Sequence, residues 1–162
     1  STFRCRARAG TLPFVVDPLL ASSSGRRFLD AEACRRLLDQ LLPLGPILTP
    51  NLPEAAELAG HSLAELQTNF GARVDAARSL CERGARAVVI KGGHAEHTLV
   101  RDLLYQPGDR VLWIEHVRRD RAGLRGTGCR HATALACGLV RGRSLASAAC
   151  DAARYLSQWI AT

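Results

Sequence analysis

Methionine is absent from the 162 residues, lysine occurs once, aromatic side chains make up 5%, and no stretch approaches bilayer length in consecutive apolar residues. Each shortage excludes something. Without an apolar run of about 18 residues, nothing here is built to cross a membrane as a helix. The six cysteines, Cys5, Cys34, Cys81, Cys129, Cys137 and Cys150, include no C-x-x-C pair. That argues against a zinc site or a disulfide framework and for a reducing, cytoplasmic setting. The shortage of aromatics bears on the charge. A net charge of +7 raises nucleic acid as a partner, and Arg118, Arg119, Arg121, Arg125 and Arg130 crowd one segment. No aromatic is interleaved with that run and no nucleic-acid-binding motif is present, so nucleic acid is set aside. Two readings of the cluster stand, a flap over a small anionic ligand and a solvated basic surface.

What is present is a 47% hydrophobic chain, long enough to bury a core as one domain over 1–162 without staples. Strands and helices alternate along it. An apolar strand over 12–16 ends at Asp17-Pro18, and Asp30 caps a helix running to Leu42, which Pro43 and Pro46 break. Ile47–Thr49 forms a second strand. Asn51 precedes a helix from Pro53 to about Ala59, with proline in its first turn, and Ser62 starts a short helix. A helix over 72–82 leads through Gly84 to a strand over 85–90. Segments 98–105 and 110–117, separated by Pro107-Gly108, read as an antiparallel edge pair. Two helices over 127–140 and 144–160 complete the chain. The β-α-β order predicts an α/β fold with a largely parallel sheet covered by helices, in which ligands bind at the carboxyl ends of strands. Asp17, Asn51 and Lys91 fall at such ends.

Two motifs carry chemistry. Gly126-Thr127-Gly128-Cys129 runs straight into a small-residue helix. The first amides of a helix have no partner inside it, and glycines let the backbone aim several of them at one spot. With the helix dipole added, this is an anion hole suited to phosphate. A thiol there, Cys129, feels the same field and is placed to hold a proton near the bound anion. The alternative is a plain loop-to-helix junction. The second motif is Ala87-Val88-Val89-Ile90-Lys91-Gly92-Gly93. Of 22 basic residues Lys91 is the one lysine, so 21 are arginine. It stands at the end of an apolar strand, where a compact ammonium meets phosphate oxygens as a point charge.

Together with Thr49-Pro50-Asn51-Leu52-Pro53-Glu54 and Asp102-Leu103-Leu104-Tyr105, these motifs resemble, in order and approximate spacing over residues 12–160, the ribokinase-like kinases. Among them the chain is most similar to the hydroxymethylpyrimidine/phosphomethylpyrimidine kinases of thiamine biosynthesis; cysteine at position 129 is the discriminating detail. The resemblance implies a magnesium- and ATP-dependent kinase acting on a small-molecule pyrimidine, and relatives that commonly form homodimers. It implies roles as well. Gly126, Thr127, Gly128 and Cys129 would form the catalytic anion hole, with Lys91, Asn51, Gly93 and Thr127 on the nucleotide. Glu54 and Asp17 would order the metal and its waters. For Asn51 and Glu54 a second reading is a helix-capping box, and for Asp17 a strand terminus. The family's amino-terminal, pyrimidine-binding part has no counterpart here, and the chain lacks an initial methionine. The expectation is therefore the carboxy-terminal, nucleotide-binding portion of such a kinase. A hydroxyethylthiazole kinase and a non-catalytic nucleotide-binding module remain as alternatives. Arg130-His131 departs from the family's small residues, and His131 is expected on the helix surface.

Overall fold

The computed structural model describes residues 14–21, 27–93, 99–108, 110–119 and 126–161. Among these residues five strands form one sheet in sequence order: β1 (Val15–Val16), β2 (Ile47–Leu48), β3 (Ala87–Ile90), β4 (Leu99–Gln106) and β5 (Arg110–Val117). The β1–β2 and β2–β3 ladders are parallel, whereas β3–β4 and β4–β5 are antiparallel. Four strands therefore point one way and β4 runs against them. The edge hairpin expected from Pro107-Gly108 is present, with Gly108 at φ +86° in its turn.

Among the described residues six helices cover the sheet: α1 (Ala31–Leu41), α2 (Leu52–Ala59), α3 (Leu63–Thr68), α4 (Phe70–Glu82), α5 (Thr127–Val140) and α6 (Leu145–Ala161). Their starts follow from local chemistry. Asp30 accepts from the Ala33 amide, Ser62 from Glu65, and Asn69 from Gly71 and Ala72, each satisfying donors that a helix leaves open. The Asn69 cap is why α4 begins at Phe70, two residues before the sequence-based boundary. Pro43 does not simply end α1; the chain tightens into a 3-10 turn over Leu42–Leu44 that closes at Gly45, φ +70°.

The period of two along each strand decides which layer a residue meets. Leu48, Val88, Ile90, Leu103 and Tyr105 face a core built with α1, α2, α3 and α4. Their neighbours Ile47, Ala87, Val89, Leu104 and Ile114 face a second core with α5 and α6. β3 is buried on both faces, as a central strand with helices on either side should be. The same alternation sends Asp17, Lys91, Asp102 and His116 to the α5 side. No helix among the described residues is long and apolar enough to cross a membrane.

Candidate active site

At the carboxyl ends of β1 and β3, Lys91 and Asp17 meet although 74 residues separate them in sequence. The Lys91 Nζ donates to Asp17 Oδ1 at 2.7 Å, and both side chains are nearly buried, 12% and 13% exposed. Thr49, at the end of β2, donates its hydroxyl to the same Oδ1 at 3.3 Å. Asp17 Oδ2 is buried and has no hydrogen-bond partner among the described residues. Three adjacent strand ends thus converge on one carboxylate, which keeps one oxygen open.

The amino terminus of α5 stands over this pair. Gly126 adopts φ +78° as the N-cap residue, and among the described residues no side chain caps the helix. A β-carbon on Gly128 would lie 2.9 Å from Lys91 Nζ and 3.2 Å from Asp17 Oδ2. Gly128 is therefore the close-approach glycine, and Gly126 supplies the left-handed turn. The uncapped amides, the helix dipole and the ammonium all bear on one small volume, an arrangement that favours phosphate oxygens. Cys129 is exposed one residue further on. It borders a cleft of about 520 Å³ between β1 and α5 that Val15, Asp17, Ala132 and Ala136 also line.

Asn51 and Glu54 form a full capping box at the start of α2. The Asn51 side chain accepts the Glu54 amide at 2.9 Å, and Glu54 Oε2 accepts the Asn51 amide at 2.8 Å. The Asn51 backbone also bridges to Lys91, and Lys91 N donates to Pro50 O at 2.8 Å. Glu54 is only 6% exposed. Burial raises its pKa, against the lowering effect of the Asn51 amide and of Lys91, while Asp17 pushes it up. The capping reading is thus present in the geometry, and the carboxylate lies within the field of the Lys91–Asp17 pair. Gly93 is exposed in the turn after Lys91.

Of the arginine cluster, Arg121 and Arg125 lie outside the described residues. Arg130 stacks its guanidinium on Trp159 of α6, 4.0 Å from the ring centroid. The surface placement of His131 is overturned: it is 1% exposed and neither ring nitrogen has a hydrogen-bond partner among the described residues. It lies one helical turn before Leu135, which is fully buried, so the helical phase that buries Leu135 buries His131 too. Burial lowers its pKa, with Asp102, Lys91, Asp17 and His116 acting as lesser influences. Asp102, 3% exposed, was visible in sequence only as part of a motif. A lone carboxylate beside the apolar run Leu103-Leu104-Tyr105 of β4 is the signal that marks it.

A mixed sheet whose parallel strand ends meet a glycine-opened helix over a lysine–aspartate pair defines the ribokinase-like class of kinases, and solved structures of that class share the fold. Residues 3–162 match the phosphomethylpyrimidine kinase family, and the chain belongs to it. It is 35% identical over 142 residues to a hydroxymethylpyrimidine/phosphomethylpyrimidine kinase of Rhizobium meliloti (strain 1021), covering 88% of this chain and 52% of that protein. The protein of the same name from Streptomyces coelicolor is 37% identical over 150 residues, covering 92% and 54%. Among solved structures, pyridoxal kinase from Staphylococcus aureus in complex with AMP-PCP matches with a TM-score of 0.78 at 26% identity, over 91% of this chain and 52% of that one. Phosphomethylpyrimidine kinase from Clostridium difficile 630 matches with a TM-score of 0.67 at 26% identity, over 91% and 57%. The chain spans about half the length of the curated relatives it matches.

Proposed function

We propose that this chain is the nucleotide- and phosphate-binding portion of a hydroxymethylpyrimidine/phosphomethylpyrimidine kinase, which transfers the γ-phosphoryl group of ATP to an aminopyrimidine. The observation that carries the proposal is the approach of Gly128 to Lys91 and Asp17, which sets uncapped helix amides and an ammonium over one point. Bound AMP-PCP in the S. aureus pyridoxal kinase and the curated names of the relatives support the choice of nucleotide and acceptor.

In this reading Lys91 neutralises charge on the nucleotide phosphates. The amides at Gly126, Thr127, Gly128 and Cys129 stabilise the transferring group, whose charge spreads over its oxygens. The acceptor oxygen bonds to the γ-phosphorus, the bond from that phosphorus to the oxygen bridging it to ADP breaks, and Cys129 stands to receive the hydroxyl proton. Asn51, Gly93 and Thr127 border the nucleotide. The open Oδ2 of Asp17 and the nearby carboxylate of Glu54 suit Mg²⁺, which takes one or two carboxylates and otherwise keeps waters and phosphate oxygens. The ion would supply charge neutralisation between the phosphates. Among the described residues there is no group of three or more His, Cys, Asp or Glu side chains that could hold a metal. In this reading the acceptor enters the cleft beside Cys129, next to β1, and the expected assembly is a homodimer.

The test is ATP consumption by the full-length protein with Mg²⁺, with and without hydroxymethylpyrimidine, its monophosphate and, as a competing acceptor, pyridoxal. Turnover that depends on the pyrimidine supports the proposal. Nucleotide binding without turnover would replace it with a non-catalytic module, and no nucleotide binding would remove both.

A further inference from the structure

Lys91 is held from behind as well as in front. Asp102, on β4, accepts the Gly92 amide at Oδ1 over 2.7 Å, and its Oδ2 accepts from His116 Nε2 of β5 at 3.2 Å. The bond to Gly92 is charge-assisted and buried, which places it among the stronger hydrogen bonds. Because the peptide unit is rigid, fixing the Gly92 N–H orients the plane that begins at the Lys91 Cα. The preceding amide is fixed too, by Pro50 O. The backbone on both sides of Lys91 is therefore pinned.

The support for Asp102 is equally built. A β-carbon on Gly92 would overlap the Arg101 carbonyl oxygen, so only glycine lets the Lys91 turn lie against β4. That same carbonyl accepts from Arg73 of α4 at 3.3 Å. Arg73 is 1% exposed and is itself anchored on Leu66 O at 2.5 Å and Gln67 O at 3.2 Å. Charged or titratable groups bear on Asp102 from each neighbouring element: Arg73 of α4, His116 of β5 and the buried His131 of α5.

We propose that Asp102 is a positioning residue of the site: by holding the Gly92 amide, its carboxylate sets where the Lys91 ammonium stands beneath the α5 amides. The proposal rests on Lys91 binding phosphate, as read above. Asparagine at 102 keeps an acceptor for Gly92, whereas leucine removes it and leaves a buried amide without a partner.

The experiment measures Mg²⁺-AMP-PCP affinity and steady-state kinetics for the full-length wild type, Asp102→Asn and Asp102→Leu. The expected result is Asp102→Asn within about threefold of wild type and Asp102→Leu at least about tenfold weaker, with kcat and the ATP KM altered and the acceptor KM unchanged. Equal affinity in all three would overturn the proposal, leaving Asp102 a latch between strands. If Asp102→Leu does not fold, the Gly92 resonance in ¹⁵N-glycine-labelled wild type and Asp102→Asn decides. A protected amide whose shift moves with the substitution supports the bond, and one that exchanges freely or stays put refutes it. A wild type that fails to bind Mg²⁺-AMP-PCP while its Gly92 amide is protected refutes the phosphate reading of Lys91, and the positioning role falls with it.

Discussion

Gly128→Ala separates what stabilises the fold from what forms the site. Gly128 lies in the first turn of α5 with ordinary negative φ, so alanine suits its backbone. In a helix interior the exchange stabilises by up to about 1 kcal/mol, less in a first turn, which for a chain of this size raises Tm by at most about 2–4 °C. The new methyl group, however, lies 2.9 Å from Lys91 Nζ, where ordinary contact begins at 3.4 Å, and 3.2 Å from Asp17 Oδ2. The ammonium is the far end of a flexible chain and can shift by the small distance needed while keeping its bond to Asp17, at little cost to folding. In doing so it leaves the position beneath the helix amides, and the methyl occupies part of the space a phosphate oxygen needs. A displacement of this order costs about 10- to 100-fold in turnover. The assay pairs thermal unfolding with pyrimidine-dependent ATP turnover. The expected outcome is a Tm equal to or above wild type with turnover reduced by that factor. Turnover within about twofold of wild type would refute the placement of phosphate at this contact. A Tm several degrees lower would instead make Gly128 a packing glycine of the fold.

Lys91→Ala is expected to abolish most turnover and to destabilise by about 1–3 kcal/mol, because it leaves the Asp17 carboxylate buried without its cation; urea unfolding of Lys91→Ala with and without Asp17→Asn checks this, the double variant recovering stability but not activity. Cys129 is exposed, so Cys129→Ala should cut turnover while leaving Tm within about a degree; unchanged turnover would remove it from the proton's path. Glu54→Gln retains an acceptor for the Asn51 amide and removes a charge that burial penalises. Because the folded pKa is raised, the charged form loses stability as pH climbs through that value, so the glutamine variant should equal or exceed wild type at pH about 7. A parallel rise in the Mg²⁺ needed for turnover would separate a metal role from the cap. For His116, the hydrogen bond to Asp102 raises the pKa above 6.5, against burial. Its contribution is fully present below the unfolded value and is lost as pH rises through the folded one. The stability gap between wild type and His116→Gln should therefore narrow as pH rises above about 6.5, and a gap that widens would contradict the Asp102 contact.

The layers of the fold were legible because they follow from short-range rules. The continuous apolar run at 87–90, the alternation in 110–117, the caps at Asp30, Asn51 and Ser62, and the Pro107-Gly108 turn each act over a few residues, and each appears where local chemistry puts it. The partners of the site residues were not legible, because they are set by topology. Nothing near Asp17 announces Lys91, 74 residues away; only the parallel pairing of β1, β2 and β3 brings their ends side by side. His131 was misplaced for a different reason. Beside Arg130 it reads as a polar surface pair, yet in the period of the helix it belongs with Leu135 and faces the sheet. Arg73 gives the same lesson in α4, where it shares the buried stripe of Ala72, Ala76, Ala77 and Leu80.

The solitary lysine acquires a physical reason from these distances. Arginine serves elsewhere in this chain where a cation has room: Arg130 lies flat on Trp159, and Arg73 spreads its guanidinium over three carbonyls. At position 91 the space is bounded by the Asp17 carboxylate at 2.7 Å and by a glycine whose missing β-carbon would stand 2.9 Å away. A planar fork with five donors is larger than the ammonium it would replace and would press on the Asp17 carboxylate and the start of α5. Lysine at 91 and glycine at 128 therefore solve one packing problem from two sides. On that account Lys91→Arg, which preserves the charge, should impair nucleotide binding nearly as much as Lys91→Ala; near-normal affinity for Mg²⁺-AMP-PCP in the arginine variant would show that the charge alone matters and that the close approach does not.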